Sequence, residues 1–178
     1  TEFFDNEAAN SLLESLDKHG LFLHSLEGEQ NWYRFHNLFA DFLKHQRHTK
    51  LAQSSKQLHK DAARAWLKHN NPQQALFHGQ RAKDSSLTAE ILLAHGWHMF
   101  NQGELENLET AISQLQADTL YQSPRLPLLR AWLAQSQHSY DQVGDLLSEA
   151  LTELKQRNIE LTLVQQGEFN ALRAQVAI

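Results

Sequence analysis

The sequence contains no cysteine, and glycine and proline are scarce, with seven and three among 178 residues. The absence of cysteine excludes disulfides, thiolate metal sites and cysteine nucleophiles. β-Sandwiches and β-barrels need many tight turns, for which this chain has too few glycines and prolines. The composition therefore predicts a mainly helical fold.

Long apolar runs and an excess of positive charge are also lacking. The apolar stretch at residues 126–134 is interrupted by Arg130, and no segment reaches the roughly 20 apolar residues of a membrane-spanning helix. No signal peptide is visible, so we expect no membrane contact. Sixteen Lys and Arg stand against 21 Asp and Glu, a net charge of −5, which argues against a strongly basic nucleic-acid-binding module.

The first 50 residues alternate between helical and strand periodicity. Asn6 is a suitable N-cap for a helix from Glu7 to about His19, and Gly20 ends that helix. Short strands are expected at residues 21–23 and 32–35, around a polar loop. Helical spacing returns at Phe35, and the polar segment 45–50 is expected to close the second helix. This order is typical of the back half of a winged-helix domain, or of a small α+β adaptor.

The chain beyond residue 51 has helical periodicity throughout, and Trp66, Trp97 and Trp132 recur near the tetratricopeptide period of about 34 residues. Each tryptophan helix is followed by a second amphipathic helix, and such hairpins must stack to bury their apolar faces. Helices are expected at residues 51–69, 72–83, 86–101, 104–116, 124–137, 139–156 and 159–178.

The predicted fold is therefore mainly α. A partial winged helix with one β-hairpin occupies residues 1–48, and a tetratricopeptide-like α-α superhelix occupies residues 49–178, incomplete at the C-terminus. The chain begins with Thr1 and ends at Ile178 inside an unfinished amphipathic pattern, which indicates a piece of a longer protein.

Enzyme signatures are missing from the sequence. The glycines never fall in the spacing of a dinucleotide or phosphate loop, and neither G-x-S-x-G nor H-E-x-x-H occurs. We interpret Glu104, Glu106 and Glu109 as the solvated face of a helix rather than a catalytic pair. The prediction is that the chain is not an enzyme and has no catalytic residues, with an unfamiliar site in a helical groove as an open alternative.

Metal and DNA sites are not predicted either. His45 with His48, and His95 with His98, have the spacing of two ligands on one helix face, but zinc needs a third or fourth ligand. The expected recognition helix of a winged-helix domain carries three carboxylates and one lysine, which would oppose binding to phosphate. These residues are Glu7, Glu14, Asp17 and Lys18.

Residues 32–43, which read WYRFHNLFADFL, closely resemble the segment that ends the winged-helix domain of MalT-like transcriptional activators. These activators are ATPases of the STAND signal-transduction class with a LuxR-type DNA-binding domain at the C-terminus. Further similar segments follow the same order along roughly residues 7–150, at residues 12–23, 58–66, 74–78, 95–97 and 103–105. The resemblance implies the end of a nucleotide-binding module and the start of a superhelical sensor region.

The same segment resembles the Met-His-Asp motif of the STAND class, whose histidine begins a helix and contacts the β-phosphate of bound ADP. By position, the resemblance implies a nucleotide-sensing role for His36. An imidazole N–H at a helix N-terminus adds a donor where the helix dipole already favours an anion. Phe35 stands in the place of Met and Asn37 in the place of Asp, which removes the carboxylate that would orient the ring. The alternative is that His36 only begins its helix.

The resemblance implies the regulatory arm and early sensor region of a cytoplasmic, ATP-dependent, inducer-responsive transcriptional activator, coupling effector binding to nucleotide-controlled self-association. The fragment holds no cofactor itself, and ATP or ADP binds the full-length protein. The implied partners are its own upstream nucleotide-binding domain, a small-molecule inducer or regulatory protein, and further copies of itself when active. DNA is bound only through an absent C-terminal domain.

Two points stay open at this stage. The tryptophans, with Phe77, Phe100 and Tyr140, could stack on a sugar or other effector, although their spacing is typical of core residues, so no effector-binding residue is singled out. The alternative function is a helical-repeat protein-protein interaction adaptor without a nucleotide switch.

Overall fold

The computed structural model describes residues 7–20, 22–25, 33–50 and 55–176. The chain separates into two compact units, Thr1–Leu58 and His59–Ile178. Helices dominate both units, which confirms the predicted mainly α fold.

The described part of the first unit contains helix α1 (Glu7–Lys18), strands β1 (Leu23–Ser25) and β2 (Tyr33–Phe35), and helix α2 (Asn37–Lys50). The two strands pair antiparallel with Leu23 opposite Phe35, and the first strand is Leu23–Ser25, whereas residues 21–23 were expected. Gly20 ends the turn after α1 at φ +64°, a conformation that a residue without Cβ adopts without strain. Asn6, Leu21 and Trp32 lie outside the described residues.

Helix α2 corrects one prediction. The polar segment 45–50 was expected to close the helix, yet α2 continues through it to Lys50. The expectation was wrong because Lys, Gln and Arg are good helix formers, so loss of the apolar stripe did not stop the backbone hydrogen-bond ladder.

The second unit consists of helices joined by short turns. After α3 (Ser55–Lys68), these helices are α4 (Pro72–Arg81), α5 (Ser85–Asn101), α6 (Leu105–Ser113), α7 (Ala117–Leu120), α8 (Arg125–Ser136), α9 (Tyr140–Gln156) and α10 (Leu163–Val176). Seven helices were expected in this region, and α7 is the additional one. Its four residues occupy a stretch that the sequence pattern left unassigned.

Side-chain caps explain where several helices begin. Asn71 Oδ1 accepts a hydrogen bond from Gln74 N at 3.1 Å, with Pro72 in the first helical position. Asp84 Oδ1 accepts from Leu87 N at 3.0 Å at the start of α5. Helix α10 was expected from residue 159 but begins at Leu163, because Thr162 and Gln165 cap each other's backbone N–H groups reciprocally at 3.0 and 3.3 Å.

The helix ends share one backbone conformation. Residues in the left-handed region follow α3, α4, α5, α8 and α9, and four of the five are not glycine. Left-handed residues let a helix end and the chain turn back for the next helix. They are Asn70, Lys83, Gly103, His138 and Asn158.

Packing in the second unit follows the order of the chain. Helix α4 packs on α5, α5 on α6 and α8, α8 on α9, and α9 on α10. Gly96 lies where α5 meets α8 at close range, since a Cβ built there would be 2.7 Å from Leu129 Cδ2. The core of this unit contains Leu76, Ile91, Leu92, Met99, Leu108, Leu126, Leu128, Leu129, Leu147, Leu154 and Leu172.

Within the described part of the chain, no helix combines the length and hydrophobicity needed to cross a lipid bilayer.

Candidate functional site

His36 lies directly before α2, at the position expected from the sequence. Its backbone N–H donates to the Phe22 carbonyl at 2.7 Å, and its carbonyl accepts from Ala40 N at 2.9 Å, the first hydrogen bond of the helix ladder. The strand pair therefore fixes the backbone of His36, while its side chain is exposed. The first backbone N–H groups of α2 have no partner within the helix, so the ring lies beside donors that suit an anion.

Aromatic side chains attach the start of α2 to the strand pair. The Phe39 ring stacks on Phe22 at a centroid distance of 5.1 Å and contacts Phe35 at 5.6 Å. On the same helix, Leu38 is 76% exposed and Phe42 is 53% exposed. Large apolar side chains thus remain on the surface next to His36, and such exposure of neighbouring apolar residues is typical of interaction sites.

The other residues considered from the sequence do not assemble into one site. Among the described residues, no group of three His, Asp or Glu side chains could hold a metal ion, and the His48 side chain lies outside them. Glu106 and Glu109 are exposed, and Glu109 Oε2 accepts a hydrogen bond from Gln137 Nε2 at 2.8 Å.

The tryptophans of the second unit pack against its core rather than lining one groove. Trp97 and Trp132 contact each other edge to face at a centroid distance of 6.5 Å, and Trp97 contacts Phe100 at 5.7 Å. Both tryptophans are partly buried against the hydrophobic core. Phe77 and Tyr140 are exposed, and Trp32 lies outside the described residues.

A cavity of about 330 Å³ lies between α6, α8 and α9. Its walls combine the apolar side chains of Leu133 and Leu146 with the polar side chains of Glu109, Arg130 and Gln137. Apolar walls with a few placed hydrogen-bonding groups are typical of sites for small polar ligands.

Sequence reasoning missed a polar network beside this cavity. Arg130 Nη1 lies 3.6 Å from Glu149 Oε2, and the side chain of Tyr121 is buried close to Glu149. Burial, reinforced by the negative charge of Glu149, raises the pKa of Tyr121 to about 12. Nothing in the local sequence links residues so far apart along the chain, and the packing of α8 on α9 brings Arg130 and Glu149 together.

Residues 1–58 match the family model of the MalT winged helix domain. Beyond this match, 97% of the chain is 56% identical to the HTH-type transcriptional regulator MalT of Vibrio parahaemolyticus. The chain belongs to the MalT family. The similarity to MalT of Vibrio cholerae is 57% identity over 96% of the chain, and to MalT of Serratia proteamaculans 43% over 93%.

The chain spans about a fifth of the length of these MalT relatives, 19% for both Vibrio proteins and 18% for the Serratia protein. It covers the MalT winged helix domain and the helical region that follows it. No solved structure matches the chain.

Proposed function

We propose that this chain is the regulatory arm and early sensor region of a cytoplasmic, ATP-dependent, inducer-responsive transcriptional activator. The single observation that carries the proposal is the 56% identity to a MalT regulator along 97% of the chain. The winged-helix part, proposed as residues 1–48, and the helical arm, proposed as residues 49–178, couple effector binding to nucleotide-controlled self-association. ATP or ADP binds the upstream nucleotide-binding domain of the intact protein.

His36 is the proposed nucleotide-sensing residue. Its exposed side chain at the start of α2 supports this role, because a ring N–H there reaches the same region as the unpaired backbone donors of the helix. A bound ADP phosphate would be held by the ring and the helix N-terminus together. In the resting state this contact ties the winged helix to the nucleotide.

The exposed apolar residues of α2 are the proposed contact with the upstream nucleotide-binding domain. Leu38 and Phe42 lie one helical turn apart on one face, and Leu38 directly follows the first residue of α2. Covering them would remove apolar surface from water beside the phosphate-binding position. Nucleotide exchange and the docking of the winged helix are thereby coupled.

Effector binding is proposed to act through the helical arm. The cavity between α6, α8 and α9 offers polar and apolar groups to a small inducer, and the exposed helix faces offer a surface to a regulatory protein. Either ligand changes the equilibrium only by binding one arrangement of the arm more tightly than the other. DNA is contacted by a C-terminal domain outside this segment.

The nucleotide role is tested in the intact protein by sedimentation velocity with ADP or ATP. His36→Ala and His36→Asn are compared with His98→Ala, an exposed histidine on α5. Asparagine is a good N-cap, so His36→Asn preserves helix capping while removing the imidazole. Both His36 variants should self-associate with ADP, whereas His98→Ala should need ATP. If His36→Asn still needs ATP for self-association and His36→Ala does not, His36 acts only as a helix cap.

A further inference from the structure

A second cavity, of about 750 Å³, lies in the second unit and shares no lining residue with the cavity between α6, α8 and α9. The end of α4, the start of α5 and the segment between α6 and α7 form its walls. The residues used below are Phe77, Gln80, Arg81, Lys83, Asp84 and Gln114. Its volume lies in the range of small-molecule sites, roughly 300–1,000 Å³.

The residues that line the cavity carry more positive than negative charge, although the whole chain has a net charge of −5. Among the residues that the structure describes, Arg81 and Lys83 form no ion pair. Asp84, the acidic side chain in the wall, is already engaged, because its Oδ2 lies 2.6 Å from Lys60 Nζ and its Oδ1 accepts from Leu87 N. The bond from Lys60 holds the pKa of Asp84 below its ordinary value, so the carboxylate stays charged and paired.

An unsatisfied donor lies in the same wall. Gln80 Nε2 is buried and has no hydrogen-bond acceptor in the described part of the chain. A buried donor without an acceptor is unfavourable, so a turn of the Gln80 side chain toward an acceptor in the cavity would relieve it. Gln114 adds a further amide near the rim.

Phe77 gives the cavity an apolar surface. Its ring is 44% exposed, and the Arg81 guanidinium carbon lies 4.5 Å from the ring centroid. Stacking on an aromatic ring holds a guanidinium by its face and leaves the N–H groups on its edges available to an oxyanion. Arg81 is therefore positioned without using its hydrogen-bond donors.

We propose that this cavity binds a small organic anion. A phosphate or carboxylate group of the ligand accepts hydrogen bonds from Arg81, Lys83 and Gln80, and its organic part packs against Phe77. The concave shape of the cavity favours a small molecule over an extended acidic peptide. The site does not depend on His36, on nucleotide or on the regulator role proposed above.

The test uses phenyl phosphate, which carries both an oxyanion and an aromatic ring, titrated into the 178-residue chain by isothermal titration calorimetry. The double variant Arg81→Gln/Lys83→Gln should bind at least about tenfold more weakly, because both positively charged donors are lost. A matched control, Lys155→Gln/Arg173→Gln, removes the same charge from exposed positions on α9 and α10 and should bind like the unmodified chain. Circular dichroism shows that each variant is folded.

Two further probes separate the parts of the site. Benzyl alcohol, which lacks the charge, should not bind, and inorganic phosphate should bind more weakly than phenyl phosphate because it cannot contact Phe77. Equal affinity of the double variant and the control would overturn the proposal, as would benzyl alcohol binding as tightly as phenyl phosphate. Binding of a polyglutamate peptide without binding of phenyl phosphate would also overturn it and assign the surface to an acidic protein partner.

Discussion

His59 Nδ1 and His78 Nδ1 lie 2.9 Å apart, joining α3 to α4 across 19 positions of the chain. Two imidazole nitrogens at this distance share one proton, so one ring donates and the other accepts. The contact therefore requires that at least one of the two rings is neutral. Burial, with smaller contributions from the nearby charges of His59 and Arg81, lowers the pKa of His78.

This pair predicts a loss of stability at mildly acidic pH. The unfolded chain binds the proton of His78 near pH 6.5, above the lowered pKa of the folded state, so the free energy of unfolding falls as the pH drops below about 6.5. The slope cannot exceed about 1.4 kcal/mol per pH unit for one proton, and partial exposure of the ring reduces it. Urea unfolding of His78→Gln between pH 7 and 5 should show a shallower slope, whereas His98→Gln should keep the original one.

The close approach at Gly96 predicts opposite effects for two glycine substitutions. Gly96→Ala places a Cβ 2.7 Å from Leu129 Cδ2, and overpacking a core costs about 1–3 kcal/mol against the roughly 1 kcal/mol that alanine returns in helix propensity. Gly144→Ala in α9 meets no atom within 4 Å and should raise the free energy of unfolding by about 0.5–1 kcal/mol. If chemical denaturation shows the same stabilisation for both, α5 and α8 do not pack as described.

The residues with left-handed backbone conformation at the helix ends predict opposite effects for a second pair of substitutions. Gly103 has φ +81°, so Gly103→Ala should lower the free energy of unfolding by about 1 kcal/mol. His138 has φ +62° with a full side chain, and His138→Gly should gain up to about 1 kcal/mol, less the ring contact with Tyr140 at 5.8 Å. Thermal unfolding of both variants measures the effect, and a loss of stability in His138→Gly would contradict it.

The raised pKa of Tyr121 predicts a loss of stability at alkaline pH. Tyr121→Phe removes the titrating hydroxyl and should abolish this loss, while Tyr140→Phe at an exposed position should leave it unchanged when unfolding is measured in urea between pH 9 and about 11. Because the folded pKa of about 12 lies above the unfolded value of 10, the unfolded state loses the proton first, and stability falls as the pH rises above 10. If the free energy of unfolding does not fall above pH 10, the Tyr121 hydroxyl is exposed to solvent.

Much of the helical architecture was predictable because its cause is local. Apolar residues at helical spacing, with polar or capping residues between them, marked the helices around Trp66, Trp97 and Trp132. The strand pair was predictable from its aromatic residues. By contrast, α7 spans four residues, too few to show any periodicity, and the polar end of α2 carried no apolar stripe.

The candidate sites were less predictable. His36 could be singled out because a family resemblance covers its segment, not because of its spacing. The contact of His59 with His78, the ion pair of Arg130 with Glu149 and the cavity beside Arg81 each join residues from separate helices. No sequence period links such residues, so only the packing of the helices brings them together.

The chain-order packing of the second unit has a consequence for how it comes apart. In a stack of helices, each helix is stabilised mainly by its neighbours in the stack. Unfolding therefore begins at a terminal helix and proceeds inward, one helix after another. Helix α10 packs on α8 and α9, whereas α5 packs on α4, α6, α7 and α8, and α8 packs on α5, α6, α9 and α10. Amide hydrogens in α10 therefore exchange with solvent before those in α5 and α8.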